Sequence, residues 1–140
     1  MKKHLLFVLA TMYTAVGTVN AQSVGIQAEI PFNFVVDNKM LPAGRYTISP
    51  TTLNGSTILL RSSDLKTAMF ITPCACASAP VREESRLVFR VVGNRYFLWQ
   101  IWTGGYDTGR ELHLGRQSIE EATAGLPQSA VIVAQAVGAR

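Results

Sequence analysis

The stretch from Ser85 to Trp102, SRLVFRVVGNRYFLWQIW, constrains the fold more than any other part of the chain and holds both of its tryptophans. Two runs of β-branched and aromatic residues flank the dipeptide Gly93-Asn94. A two-residue connection of this kind between such runs is typical of a tight β-hairpin. Val92 is then opposite Arg95, and residues whose numbers sum to 187 are predicted to face one another.

The arginines of this hairpin predict which face points into the protein. Burial of a large apolar side chain gains roughly 1.5–3 kcal/mol, whereas a buried, unpaired charge is costly. The arginine-free face is therefore the predicted core, and it carries Leu87, Phe89, Val91, Tyr96, Leu98 and Trp102. The opposite face carries Arg86, Val88, Arg90, Arg95, Phe97, Trp99 and Ile101. On this second face we expect either a cation–π stack of Arg90 on an aromatic ring or an exposed aromatic platform.

Alternating apolar residues and turn signals continue along the rest of the chain. Strands are predicted at 24–36, 45–49, 57–61, 67–72, 110–114 and 129–137, with a loop at 73–84 and a short C-terminal helix at 117–124. Pro31 donates no hydrogen bond, so residues 24–36 are predicted to form an edge strand or two strands joined by a bulge. Roughly eight or nine short strands with frequent turns predict an all-β fold, a single-domain antiparallel β-sandwich or barrel.

The N-terminus has the features of a secretory signal peptide. Lys2 and Lys3 precede an apolar run, and Val19-Asn20-Ala21 supplies small residues where signal peptidase cleaves. We expect cleavage after Ala21, which gives a signal peptide at 1–21 and one domain at 22–140, exported to the periplasm or the medium. No later stretch has the roughly 20 apolar residues of a membrane-spanning helix, so no transmembrane segment is expected in the mature chain.

The charge of the mature chain is weak and dispersed. Removing Lys2 and Lys3 from the 13 basic residues leaves 11 against nine acidic residues, a net charge of +2. The arginines are scattered singly, and no basic run is present to follow a phosphate backbone. We therefore expect no nucleic-acid partner. An envelope polysaccharide or another protein stays open as a partner.

The mature chain offers few groups for catalysis. His113 is its one histidine, and it alternates with leucines in a predicted strand. This alternation indicates a histidine on the surface or at the rim of the fold. Glu83-Glu84 and Glu120-Glu121 are expected to be solvated charges rather than a catalytic pair. No Gly-x-Ser-x-Gly elbow is present, and one histidine with two cysteines makes no convincing zinc site. We expect no enzymatic activity, no cofactor and no metal site.

Cys74-Ala75-Cys76 is the least usual local feature. An even number of cysteines in an exported protein favours a disulfide. A bridge between Cys74 and Cys76, however, closes a very small ring that is strained and easily reduced. The sequence therefore leaves open a local disulfide, two free thiols, or a redox or metal role for the pair.

The aromatic residues in and after the hairpin are the best candidates for a binding surface. Exposed tryptophan and tyrosine side chains bind sugars and apolar ligands, although aromatic residues of a hairpin are more often core. The predicted ligand-binding residues are Phe97, Trp99, Trp102 and Tyr106, together with Arg90.

Several short motifs follow one another in a distinctive order. They are Ile30-Pro31-Phe32-Asn33-Phe34, Leu41-Pro42-Ala43-Gly44-Arg45-Tyr46, Leu87-Val88-Phe89, Gly93-Asn94-Arg95-Tyr96-Phe97-Leu98, Ile101-Trp102 and Gly109-Arg110-Glu111-Leu112. In this order and spacing the chain resembles a group of short exported bacterial proteins with no assigned activity. The resemblance implies an exported β-rich domain and no catalytic residue, and it does not include the Cys-x-Cys segment.

Three hypotheses about function follow. The preferred one is an exported, non-enzymatic β-domain that is a structural or binding component of the cell envelope. The first alternative is a carbohydrate- or apolar-ligand-binding module that uses the aromatic residues. The second is a redox or metal protein that uses Cys74 and Cys76.

Overall fold

The computed structural model describes residues 25–115, 120 and 128–137, and the side chains of residues 76–77, 128 and 133–137 lie outside this description. The predicted signal peptide at 1–21 lies outside the described residues, and so does the predicted helix at 117–124 apart from Glu120. These assignments and the domain boundary at Ala21 stay predictions. Within the described ranges, no helix is long and apolar enough to span a membrane.

The described part of the chain contains eleven β-strands, which confirms the all-β prediction. They are β1 (Gly25–Ile30), β2 (Phe34–Val36), β3 (Lys39–Leu41), β4 (Gly44–Pro50), β5 (Ile58–Ser62), β6 (Ala68–Ile71), β7 (Cys74–Ser78), β8 (Ser85–Val92), β9 (Arg95–Trp102), β10 (Thr108–Glu111) and β11 (Gln128–Val137). Two of them were not expected. Strand β3 follows a tight turn whose central residues, Asp37 and Asn38, both have positive φ, and β7 lies in the predicted loop, where it pairs with β10.

The strands form two sheets that are joined by β11. Sheet A contains β1, β4, β5 and β6, and sheet B contains β2, β3, β7, β8, β9 and β10. Strand β11 pairs with β8 of sheet B over residues 128–134 and with β1 of sheet A over residues 135–137. The strands at the two ends of the order, β3 and β6, do not pair with each other, so the described strands form no closed barrel.

The chain changes sheets at Pro31. Strand β1 ends at Ile30 in sheet A, and β2 begins at Phe34 in sheet B, where it runs parallel to β9. The predicted antiparallel arrangement is wrong for this pair, because β2 is reached by a change of sheet and not by a hairpin from β9. The strand break at Pro31 is therefore confirmed, but the edge position is wrong. Strand β1 lies inside sheet A between β11 and β4, and it keeps its hydrogen bonds because the proline follows its last residue.

The hairpin of β8 and β9 forms with the predicted turn. Gly93 has a φ of 59°, a conformation that glycine adopts at little cost at the first central position of such turns. The pairs from Val92–Arg95 to Phe89–Leu98 keep the predicted register. The predicted core residues Leu87, Phe89 and Leu98 are at most 1% exposed.

Trp99 shifts the register of this hairpin. The pair after Phe89–Leu98 is Val88–Gln100, so Trp99 is an extra residue in a β-bulge of β9. Beyond the bulge the two faces of β9 exchange. Ile101, predicted to lie outside, is a core residue that is 3% exposed, and Trp102, predicted to be core, is half-buried opposite Arg86. The prediction for these two residues is wrong because a bulge reverses the two-residue alternation.

A single hydrophobic core lies between the inner faces of the two sheets. Near Pro31 it is filled by aromatic rings, since Phe32 stacks on Tyr96 at 3.8 Å and Phe34 meets Tyr46 and Phe89 edge-on at 5.1 and 5.7 Å. At the other end of β1 the core is aliphatic: Ile26, Ile48, Ile58 and Ile101 lie there.

The motif Leu41-Pro42-Ala43-Gly44-Arg45-Tyr46 forms a tyrosine-anchored corner. The Tyr46 ring is 1% exposed, and its hydroxyl donates a hydrogen bond of 2.7 Å to the carbonyl of Pro42. Burial raises the pKa of Tyr46, and the negative charge of Asp64 raises it further. The order Leu-Pro-x-Gly-x-Tyr thus fixes the turn that leads into β4.

Replacing Tyr46 with Phe tests this corner. We expect a loss of about 1 kcal/mol in the free energy of unfolding at neutral pH, because the Pro42 carbonyl loses its buried partner. The folded-state pKa of Tyr46 lies above that of the unfolded chain. The stabilisation that Tyr46 contributes is therefore fully present below about pH 10 and is lost as the pH rises further. Urea denaturation across this range should show the free energies of unfolding of wild type and Tyr46→Phe converging above pH 10. A difference that stays constant with pH would contradict the buried hydrogen bond of Tyr46.

Candidate functional site

The outer face of the β8–β9 hairpin carries paired arginine and aromatic side chains. The Cζ atom of Arg90 lies 3.9 Å from the ring centroid of Trp99, and that of Arg86 lies 5.2 Å from the ring centroid of Trp102. Both tryptophans are half-buried, and Phe97 on the same strand is only 4% exposed. We call Arg86, Arg90, Phe97, Trp99 and Trp102 the arginine–aromatic face.

Hydrogen bonds extend this face toward β10. The indole Nε1 of Trp102 donates to Oε1 of Gln100 at 3.1 Å, and Nε2 of Gln100 donates to Oε2 of Glu111 at 3.2 Å. Gln100 is thereby held with both ends of its amide engaged. The ring of Trp102 therefore contacts the guanidinium of Arg86, and its indole nitrogen is hydrogen-bonded to Gln100. Both the aromatic face and the polar atom of this side chain have partners within the chain.

A cleft of about 710 Å³ opens between the two sheets, at the aliphatic end of the core. Its floor is formed by four buried isoleucines, Ile26, Ile48, Ile58 and Ile101. Three belong to sheet A and one to sheet B, so the cleft lies between the two inner faces. Its volume is in the range of small-molecule sites, which are concave and mostly apolar with a few polar groups.

Two loops form the rim of this cleft. The loop between β4 and β5 is closed by backbone hydrogen bonds from Thr51 to Thr57 and from Gly55 to Thr52, and it exposes the whole side chain of Leu53. The loop between β9 and β10 contributes Thr103 and Tyr106, and the Tyr106 side chain is 61% exposed. Apolar groups thus stand at the mouth as well as on the floor.

Arg110 is the charged residue that lines this cleft. It pairs in register with the core residue Ile101, which puts it on the inner face of sheet B. Its Nη2 donates a hydrogen bond to the carbonyl oxygen of Asn54 on the opposite rim loop. The guanidinium lies against Gly55, where an added Cβ would be 3.1 Å from Nη2. Arg110 therefore connects the two sheets across the mouth.

Cys74 and His113 approach one another beside β10. The Sγ atom of Cys74 is 3.3 Å from Nε2 of His113, both side chains are exposed, and Cys74 forms no disulfide with any side chain that the structure describes. Among the described residues, no group of three or more His, Cys, Asp or Glu side chains is arranged to hold a metal ion. The side chain of Cys76 lies outside the described residues, so the proposed disulfide and its alternatives stay predictions.

The structure separates the predicted ligand-binding residues into two places. Phe97, Trp99, Trp102 and Arg90 lie together on the arginine–aromatic face, whereas Tyr106 lies at the cleft. Sequence reasoning missed the isoleucine floor and Arg110. The position of Arg110 could have been predicted from its spacing to Leu112, since residues two apart in a strand lie on the same face. Leu112 is 5% exposed and belongs to the core.

Comparisons of the chain with family models, with curated proteins and with solved structures gave no match. The case for a function therefore depends on the geometry of the chain itself.

Replacing Arg90 with Ala, in a Trp102→Phe background that leaves Trp99 as the only tryptophan, tests the cation–π contact. We expect acrylamide to quench Trp99 fluorescence more strongly and the free energy of unfolding to fall by about 0.5–1 kcal/mol. Arg61→Ala in the same background is the matched control, since Arg61 is an exposed arginine on β5. Equal quenching in the two variants would show that Arg90 does not cover Trp99.

Proposed function

We propose that this chain is an exported, non-enzymatic β-sandwich domain that binds an apolar ligand in the cleft between its two sheets. The observation that carries the proposal is the cleft itself, with a floor of four isoleucines and apolar side chains at its mouth. An apolar ligand is favoured because the isoleucine floor offers dispersion and hydrophobic contact, whereas the polar groups of the lining lie in the strand ends and loops around it.

Other features of the chain agree with this proposal. The basic and apolar N-terminal residues support export, and the resemblance to short exported proteins supports a role in the cell envelope. The lone histidine of the mature chain is exposed and outside the cleft, which supports a non-enzymatic role. Carbohydrate binding on the hairpin is less well supported, because arginines lie against the rings of Trp99 and Trp102 where a sugar would stack.

Replacing Thr103 with Trp tests the cleft as the binding site. Thr103 is a half-buried residue of the cleft wall, and an indole there would occupy the space of the ligand. N-phenyl-1-naphthylamine, whose fluorescence rises in apolar surroundings, is a suitable probe. We expect the wild-type chain to bind it and the variant to bind it at least about tenfold more weakly, a loss of roughly 1.4 kcal/mol.

Met40→Trp is the matched control, because it adds an indole at an exposed position of β3 that does not line the cleft. This variant should bind the probe as wild type does. Equal affinity in all three proteins would place the probe elsewhere, and the proposed function would then be wrong.

A second candidate function is the binding of a soft metal ion at Cys74 and His113. Thiolate and imidazole ligands on a tetrahedral zinc ion, at about 2.3 and 2.0 Å from the metal, are roughly 3.5 Å apart. The Sγ and Nε2 atoms of the pair are 3.3 Å apart, so they fit one shared ion. A second thiol, that of Cys76, follows two residues later on β7.

Competition between the reduced protein and a chromophoric zinc chelator tests this candidate. Cys74→Ser and His113→Gln should each weaken zinc binding by about tenfold or more, since each removes one ligand. Glu84→Gln is a control that removes an exposed acidic residue from another segment. Unchanged zinc affinity in Cys74→Ser would exclude the site.

A further inference from the structure

We propose that the ligand of the cleft is an amphipathic acid, with an apolar chain over the isoleucine floor and a carboxylate bound by Arg110. This inference rests on the proposed function of the cleft and names the chemistry of its ligand. It begins from the position of a charged side chain: Arg110 is half-buried at the mouth of the cleft and pairs in register with the core residue Ile101.

The register fixes the position of Arg110. Its partner on β9 is Ile101, and its partner on β7 is Ala75. A bulge between Thr108 and Arg110 interrupts the pairing with β7 at this point, and both residues line the cleft. The extra residue of this bulge belongs to β7, because a step of two residues from Thr108 to Arg110 is matched by a step of three from Ser78 to Ala75. Arg110 therefore keeps the regular alternation of β10 and shares the face of Ile101, as a cation at the edge of an apolar space.

Most of the hydrogen-bonding capacity of this guanidinium is unused within the described residues. A guanidinium has five N–H donors, and one hydrogen bond is formed, to the carbonyl of Asn54. That bond satisfies a donor but does not neutralise the charge. The ion pair found in the described part of the chain joins Arg45 to Glu29, far from this position in the sheet order. Arg110 is thus held by a neutral acceptor and is available to an anion.

The surroundings select the kind of anion. A guanidinium binds a carboxylate through two parallel hydrogen bonds, and such charge-assisted bonds are about twice as strong as neutral ones. The remainder of the cleft floor is aliphatic, so it suits a hydrocarbon chain rather than a polar one. Gly55 allows the guanidinium to approach the rim loop closely, because a Cβ at this position would lie only 3.1 Å from Nη2 of Arg110. Its positive φ of 64° also favours glycine there.

Calorimetric titration with decanoate and with 1-decanol, which have the same chain length, tests the inference. Wild-type protein should bind decanoate about tenfold more tightly than decanol. In Arg110→Gln, decanoate affinity should fall to that of decanol, whereas decanol affinity should stay as in wild type. Arg61→Gln removes an equal charge at an exposed position on β5 and should keep the preference for decanoate.

The outcomes separate the two proposals. If wild-type protein binds both compounds equally, or if Arg110→Gln keeps the preference, the carboxylate inference is wrong and the apolar cleft remains. If neither compound binds, the carboxylate inference is wrong, and the binding of N-phenyl-1-naphthylamine decides whether the apolar cleft remains. The wild-type comparison is decisive even if the Arg110→Gln variant does not fold, and Arg110→Lys, which keeps the charge but not the planar fork, should retain part of the preference.

Discussion

Strand β11 pairs with both sheets, and the rest of the structure depends on this double pairing. Residues 128–134 lie along β8 and residues 135–137 lie along β1, so one continuous strand connects the sheets. The chain connects them a second time between Ile30 and Phe34, at the opposite end of β1. Two connections at opposite ends hold the inner faces against one another, and a single hydrophobic core lies between them.

The two ends of this core are filled differently, and the cleft is the consequence. Near Pro31, packed aromatic rings occupy the space between the sheets. At the other end four isoleucines cover the floor but do not fill the mouth, and a space of about 710 Å³ is left between the rim loops. This space is open at the rim loops and has Arg110 at its edge, and it is the site that we propose for the ligand.

Sequence alone predicted the elements that depend on local chemistry. The Gly93-Asn94 turn and the core face of Leu87, Phe89 and Leu98 follow from residue types at fixed spacing. For Arg90 the sequence left two alternatives, and the structure has the cation–π stack. The bulge at Trp99 did not follow, because an inserted residue leaves no mark in the residue pattern. Strand β7 was missed for a related reason: Cys74-Ala75-Cys76-Ala77-Ser78 has no apolar alternation, and its pairing with β10 alone makes it a strand. The floor of the cleft comes from four strands spread over the chain, which no spacing rule brings together.

The arginine–aromatic face has partners within the chain, whereas no side chain that the structure describes fills the mouth of the cleft. An amide and indole NMR titration of the nitrogen-15-labelled protein with decanoate tests this division most directly. We expect shift changes at residues 51–55 and 103–110, with the indole signals of Trp99 and Trp102 nearly unmoved. Shift changes centred on the two indole signals, with residues 51–55 unaffected, would contradict it.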